Sequence, residues 1–399
     1  MSLSESITEP VLPWDDQDYV TNPYPWYEKA RRDFPIYRSD DGAYVLTRYE
    51  DVTRYAKLPS LSIVDPVWVP KGPWAALSKT VLALDPPQHT AMRRRSNKWF
   101  TPKLVRRWAE AGRVEIHRVL DGISSGEELE ANLHLGVGPA HIAMCEALQL
   151  PGDDFEPVIL SMHKTMAALS AVATAEDNEN AGKAFDYLIG RLKKMLAAKR
   201  TSPGDGLADA LIALQDEGEL SEDEVVQTLT LFWASGGHNP SYAVSAGIEY
   251  FARHPDVFET YRAEQDLRAA IINELFRLFP PELSIARYAT EPLQIHDVEI
   301  KPGDRLKFIL DSANRDPEVF PRPDKLDVAR PPGAAQNVTF GLGPHACAGQ
   351  VISRAEVEAA FNIFAERVER FELCGDVVMD NSDRSRAYVS LPVKIHLRK

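Results

Sequence analysis

Hydrophobic positions recur with the helical period over most of the chain and alternate with the strand period in three places. "NPYPWYEKARRDF" predicts a first helix, with Asn22 as N-cap and Pro23 at its first position. "IYRSDDGAYVLTRY" alternates around Asp41-Gly42 and predicts a β-hairpin. From about Pro86 to Phe279 the helical period dominates, broken at "PGDD" and "TSPGDG"; within it, about Glu222 to Arg253 reads as one helical run. "EPLQIHDVEIKPGDRLKFIL" predicts short strands with a "KPGD" turn, and "SANRDPEVFPRPDKLDVARPPG" is too proline-rich for either regular state. A last helix places Ile352, Ala355, Ala359 and Ile363 on one face, and "RAYVSLPVKIHL" is extended again. The predicted class is mainly α with small antiparallel β-sheets.

Composition adds exclusions. With 44% hydrophobic and 26% charged residues the chain can bury a large core, and no linker or repeat suggests a cut within residues 1–399. The N-terminus has no basic, apolar leader, and no apolar run approaches the roughly 20 residues of a membrane span. Three scattered cysteines cannot build a disulfide framework, which fits the cytoplasm. A net charge of −14 argues against nucleic acid as a partner.

The candidate chemistry centres on "FGLGPHACAGQ". Cys145 and Cys374 read as small buried hydrophobes, but Cys347 sits in a built turn. Gly341 and Gly343 permit a tight loop after Phe340. Cys347 then precedes a helix, whose free N–H groups favour thiolate over thiol. Gly349, without a side chain, lets a flat ligand lie against the backbone. This combination suits a thiolate ligand to haem iron, whereas zinc would need three or four ligands that are not clustered nearby in sequence.

"FGLGPHACAG" resembles the haem-binding signature of the cytochrome P-450 superfamily at every specified position. Three further stretches share the resemblance. "ELFR" is similar to the family's Glu-x-x-Arg pair, which implies that Glu274 and Arg277 tie their helix to the proline-rich meander near Arg330. "HTAMR" places His89 and Arg93 on one helical face, and the resemblance makes these two, with Arg287 and His345, donors to the haem propionates. The meander itself is similar nearly throughout. The resemblance implies a single triangular haem domain, haem b held through the Cys347 thiolate, and a small-molecule substrate oxidised with O2. It leaves no room for a fused reductase, so electrons would come from a ferredoxin and its NAD(P)H-dependent reductase.

Seven basic residues and no acidic ones lie between Arg93 and Arg107. They form either a solvated helix face or, as the resemblance implies, a docking face for an acidic ferredoxin.

Where the family carries Ala-Gly-x-(Asp/Glu)-Thr, this chain has Gly236, Gly237, His238, Asn239 and Pro240. Neither the acid nor the hydroxyl of the family's proton relay survives. Pro240 also offers no N–H to the Gly236 carbonyl four residues back. It is either a structural kink or part of an altered proton supply, with His238, Asn239, Ser241 and Glu282 as candidates to hold water; Glu282 can equally be an exposed carboxylate.

The resemblance implies pocket walls from Ile63, Val64, Trp68, Trp74, Met162, Met166, Trp233, Glu282, Leu283 and Ile285. These are either core or the lining for a small apolar, aromatic substrate. Threonine-to-proline replacement also occurs in a family branch that O-demethylates methoxy-aromatics. A peroxide-driven peroxygenase and a non-catalytic haem sensor are the alternative readings.

Overall fold

The computed structural model describes residues 10–66, 72–97, 99–150, 155–168, 173–330, 335–380, 382 and 384–398. Nine helices organise the site: α1 (Tyr24–Asp33), α2 (Gln88–Asn97), α3 (Pro102–Asp121), α4 (Gly138–Leu148), α5 (Phe155–Ala167), α6 (Ala175–Thr201), α7 (Glu222–Arg253), α8 (Arg268–Leu278) and α9 (Gln350–Arg367). The first starts at Tyr24, so Asn22 is not its cap; Pro23 takes that position and Pro25 lies in the first turn.

The hairpin forms as read, with β1 (Ile36–Arg38) antiparallel to β2 (Tyr44–Leu46). With β3 (Leu61–Ser62), β5 (Ser284–Ala289) and β6 (Arg305–Ile309) it makes a five-stranded sheet ordered β1-β2-β6-β5-β3. One pairing departs from the antiparallel expectation: β2 runs parallel to β6, Tyr44 beside Leu306. A second sheet orders β4 (Glu127–Glu130), β8 (Pro392–Leu397) and β7 (Val368–Leu373). The C-terminal extended stretch therefore supplies the middle strand.

The predicted run from Glu222 to Arg253 is a single helix. Ser221 caps it and Glu224 returns the bond, the carboxylate accepting from the Ser221 N–H at 2.8 Å. Buried residues occupy most of its circumference, because it threads the core. Pro240 does not end it. The Ser241 hydroxyl donates to the His238 carbonyl at 2.6 Å. A π-helical turn, Asn132–Val137, packs against the same stretch: a Cβ on Gly136 would collide with Ser245 Oγ. Such turns concentrate at functional positions.

On α9 the buried face is rotated from the predicted one. Ile352 and Ile363 are buried, but Ala355 and Ala359 are half-buried, while Ser353, Glu356, Val357, Ala360 and Phe364 point inward. Among the described residues no helix is long and apolar enough to cross a membrane.

Candidate haem-thiolate site

The cysteine turn is closed by backbone bonds. The Cys347 N–H donates to the Phe340 carbonyl at 2.7 Å, and that of Gly341 to Val338 at 2.9 Å. Gly341 and Gly343 both hold φ of +68°, which side-chain-bearing residues rarely adopt. The Phe340 ring lies 5.0 Å from that of Phe276 on α8, anchoring the turn. Cys347 is accessible, yet so much protein surrounds it that burial pushes its thiol up. The two agree if the accessible surface faces an interior cavity rather than bulk water. The N–H groups of Gly349 and Gln350 and the Arg93 charge work in the opposite direction, as the helix start predicts, but burial outweighs them. A cationic metal at the sulfur would reverse that balance. A Cβ on Gly349 would stand 3.7 Å from Cys347 Sγ, so its absence leaves a slot beside the thiol.

Four basic side chains gather beside this turn. His89 and His345 lie with ring centroids 4.0 Å apart, and the Arg93 Nε–H points at His89 Nε2 at 3.3 Å. Arg93 also donates to the Ala346 carbonyl at 2.6 Å, next to the cysteine. Arg287 donates to the Ala56 and Ala286 carbonyls at 3.1 and 2.7 Å. Burial, reinforced by mutual repulsion, depresses His345 to about 4; burial also lowers His89 and takes Arg287 to about 10. Two buried and two half-buried groups, each pulled toward its neutral form, describe a site short of negative charge. Two propionates would supply it, and Gly349 leaves room for the ring, so these residues fit haem.

One acid was missed from the sequence. Asp85 hydrogen-bonds Ser62 Oγ, accepts from the Ile63 N–H at 3.3 Å, and stands 3.5 Å from His345 Nε2. Its carbonyl also accepts from the His89 N–H at 2.9 Å, at the start of α2. An acid one turn before a candidate donor was the available signal.

Glu274 and Arg277 form a buried pair with two bonds of 2.8 Å. Arg277 spends its other donors on the carbonyls of Asn314, Pro323 and Lys325. Arg330 stands 3.1 Å from the same Glu274 and donates to the Pro321 carbonyl. The meander lacks regular ladders, and this fork satisfies carbonyls that would otherwise be unpaired.

A cavity of about 450 Å³ adjoins the basic cluster, with Ile63, Val64, Leu77, Leu82 and Ile285 on its apolar side and Arg287, His345 and Arg384 on its charged side. Trp68 lies outside the described residues, as do the side chains of Trp74, Met162 and Met166. Trp233, read as a pocket wall, is 1% exposed and packs in the helical core with Leu148 and Leu192, because its face of α7 turns inward. Leu283 is buried, its N–H donating to the Arg384 carbonyl. Glu282 is not an exposed carboxylate: it is a quarter exposed, 3.7 Å from Arg384 Nε, and burial raises its carboxyl. Gly236, Gly237, His238, Asn239 and Pro240 lie on consecutive positions of α7; Gly236 packs so closely that a Cβ would collide with Met144, and Asn239 Oδ1 is buried with no hydrogen-bond partner among the described residues.

The basic stretch is partly neutralised. Arg95 pairs with Glu219 at 3.2 Å and Arg107 with Glu146 at 2.7 Å. Arg94, Lys103 and Arg106 are exposed, and Lys98 lies outside the described residues.

A helical body with a small mixed sheet, a glycine-built cysteine turn and a buried Glu-x-x-Arg fork define the haem-thiolate oxygenase class. The family model described as Cytochrome P450 matches residues 34–397, and the chain belongs to that family; it is an oxidoreductase of the monooxygenase type. It is 28% identical over 384 residues to cytochrome P450 CYP107DY1 of Priestia megaterium, covering 90% of this chain and 92% of that protein. It is 29% identical to the vitamin D(3) 25-hydroxylase of Pseudonocardia autotrophica, covering 93% of each. The crystal structure of epothilone D-bound cytochrome P450epoK superposes with a TM-score of 0.88 at 23% identity, over 99% of this chain and all of that one.

Proposed function

We propose that the chain is a cytoplasmic haem b monooxygenase that inserts one oxygen atom from O2 into a small apolar, aromatic substrate, by hydroxylation or O-demethylation. A separate ferredoxin with an NAD(P)H-dependent reductase supplies the electrons. The observation that carries this reading is the convergence of the Cys347 thiol, the side-chain-free slot at Gly349 and four charge-deficient basic groups.

When bound, haem supplies the iron at which dioxygen is reduced, and thiolate ligation makes that iron electron-rich. The chain's own residues do the rest. Cys347 would hold the metal. His89, Arg93, Arg287 and His345 would bind the propionates and fix the ring's orientation. Ile63, Val64, Leu77 and Ile285 form an apolar wall that excludes water and favours a substrate with a hydrocarbon face. Arg94, Lys103 and Arg106 present exposed positive charge that suits an acidic carrier.

The test is a screen of small methoxy-aromatics for a low- to high-spin shift in the holoenzyme. NADH, product and formaldehyde are then measured with a surrogate ferredoxin and reductase. Substrate-dependent NADH use with product formation is expected. Product from hydrogen peroxide alone, and none from NADH, would move the protein to the peroxygenases.

A further inference from the structure

Gly182, Phe185, Asp186, Ile189 and Lys193 recur at helical spacing on α6 and form one stripe along it. That stripe is one wall of a second cleft, which shares no lining residue with the cavity beside the basic cluster. The 3₁₀-helical segment Gly72–Leu77 adds Ala75 and Ala76, and the first turns of α7 add Asp223 and Val226. The cleft holds about 410 Å³, which falls in the roughly 300–1,000 Å³ range of small-molecule pockets.

Its chemistry is that of an apolar floor under a balanced rim. Phe185, Ile189, Val226 and the two alanines supply the floor. Gly182 widens it. Glycine weakens a helix interior, and here a Cβ would meet nothing within 4 Å, so packing does not call for the missing side chain. At the rim Asp223 is held by Lys79 at 2.7 Å, while Asp186 and Lys193, about two turns apart on α6, offset each other. A rim without net charge suits an uncharged ligand.

The cleft also reaches the wall of the inner cavity. Phe185 is buried and packs with Leu77 and Leu231 in one cluster, and Leu77 lines the cavity beside the basic cluster. A single layer of side chains therefore separates the two spaces. The segment that carries Leu77 is clipped to α7 through Gln227, another residue of the cleft. Its Oε1 accepts from the Lys79 N–H at 2.7 Å, and its amide donates to the Ala75 carbonyl at 3.3 Å.

We propose that this cleft is a second, non-catalytic binding site for an uncharged aromatic molecule of the class proposed as substrate. A molecule seated on Phe185 and Ala76 braces Leu77 from outside, so that the inner cavity binds its own molecule more tightly. The coupling is reciprocal: filling the inner cavity tightens the cleft by the same factor.

The ligand class rests on the proposed substrate class, and the experiment lets the two fail apart. Methoxynaphthalene, flat and uncharged, is the probe, counted by equilibrium dialysis against the holoenzyme. Wild type should bind two molecules per haem, with a spin shift that rises more steeply than a one-site curve. Gly182→Trp, which fills the cleft from an open position, should bind one and follow a one-site curve. Gly190→Trp, at an equally open glycine of α6 outside the cleft, should keep both molecules and the steep curve. Gly182→Leu repeats the test with a smaller plug should tryptophan unfold the chain. One molecule bound by wild type with a spin shift overturns the cleft site and leaves the substrate reading intact. One molecule bound without a spin shift, and lost in Gly182→Trp, upholds the cleft site and fails the substrate reading. Two molecules still bound by Gly182→Trp overturn the proposal, and a one-site curve in wild type with two bound overturns the coupling through Leu77.

Discussion

Arg277 holds Glu274 through two parallel hydrogen bonds of 2.8 Å, with the guanidinium 1% and the carboxylate 4% exposed. Pairing lowers the Glu274 carboxyl against the opposing effect of burial, so the acid stays ionised. Three meander carbonyls complete the guanidinium's donor set.

Removing one partner leaves the other charge buried and alone, at a cost of about 3–5 kcal/mol. Arg277→Ala is therefore expected to yield little folded protein able to bind haem, and Arg277→Lys to recover only a small part, since an ammonium cannot reproduce a five-donor fork. Haem content and far-UV circular dichroism measure this. Normal haem loading in Arg277→Ala would show that the meander is held by other contacts.

Cys347 is expected to be the sole cysteine that ligates iron. In Cys347→Ser the red-shifted Soret band of the reduced carbonyl complex should be absent, while Cys145→Ser and Cys374→Ser retain it. Cys145 is buried and packs in the helical core, and Cys374 lies at the end of β7. A thiolate spectrum from Cys347→Ser would remove the basis of the haem assignment.

Electron delivery should depend on the charges of α2 and α3 that have no acidic partner among the described residues. Arg95 and Arg107 are already paired. Reversing Arg94, Lys103 and Arg106 to Glu should slow ferredoxin reduction roughly tenfold or more at low salt and flatten its salt dependence. The substrate-induced spin shift should persist. Equal reduction rates at low ionic strength would place the docking face elsewhere.

Local rules made much of the site legible. Glycines before Cys347, the i,i+4 pair His89/Arg93 and the helical run from Glu222 to Arg253 each depend on neighbours in sequence. Asp85 was legible only as an acid one turn before His89, because its contacts with Ser62 and His345 are made by the fold. Apolar residues alone suggested the α9 face centred on Ala355 and Ala359. The real face turns toward Glu356 and Ser353, so polar residues on an inward face were discounted. Trp233 shows the converse, an aromatic of the central helix that packs into the core.

Glu356, buried on the inward face of α9 with no hydrogen-bond partner among the described residues, gives a pH signature that needs no substrate. Its folded carboxyl is raised above the unfolded value of about 4.3, so the stability linked to its proton is fully present below that value and is lost as pH rises through the folded pKa. Over the pH range above about 4.3, wild type should therefore lose thermal stability relative to Glu356→Gln as the carboxyl gives up its proton. Scanning calorimetry of both proteins across that range measures the difference. Parallel curves would mean that Glu356 keeps the same proton affinity folded and unfolded.

Pro240→Thr tests whether the altered groove on α7 is an adaptation. Threonine restores an N–H for the Gly236 carbonyl, and its hydroxyl can reach the same carbonyl from one turn below. Both changes compete with any water held there, while the added hydroxyl rebuilds half of the family's relay. If the native groove delivers protons through held water, Pro240→Thr should lower product per NADH and raise released hydrogen peroxide, with the spin shift preserved. If proline is merely tolerated, coupling should equal or exceed that of wild type, because a hydroxyl has been gained at no cost to an existing route. Product, NADH and peroxide measured together on one substrate give the ratio, and a value at or above wild type would sink the adapted-groove reading.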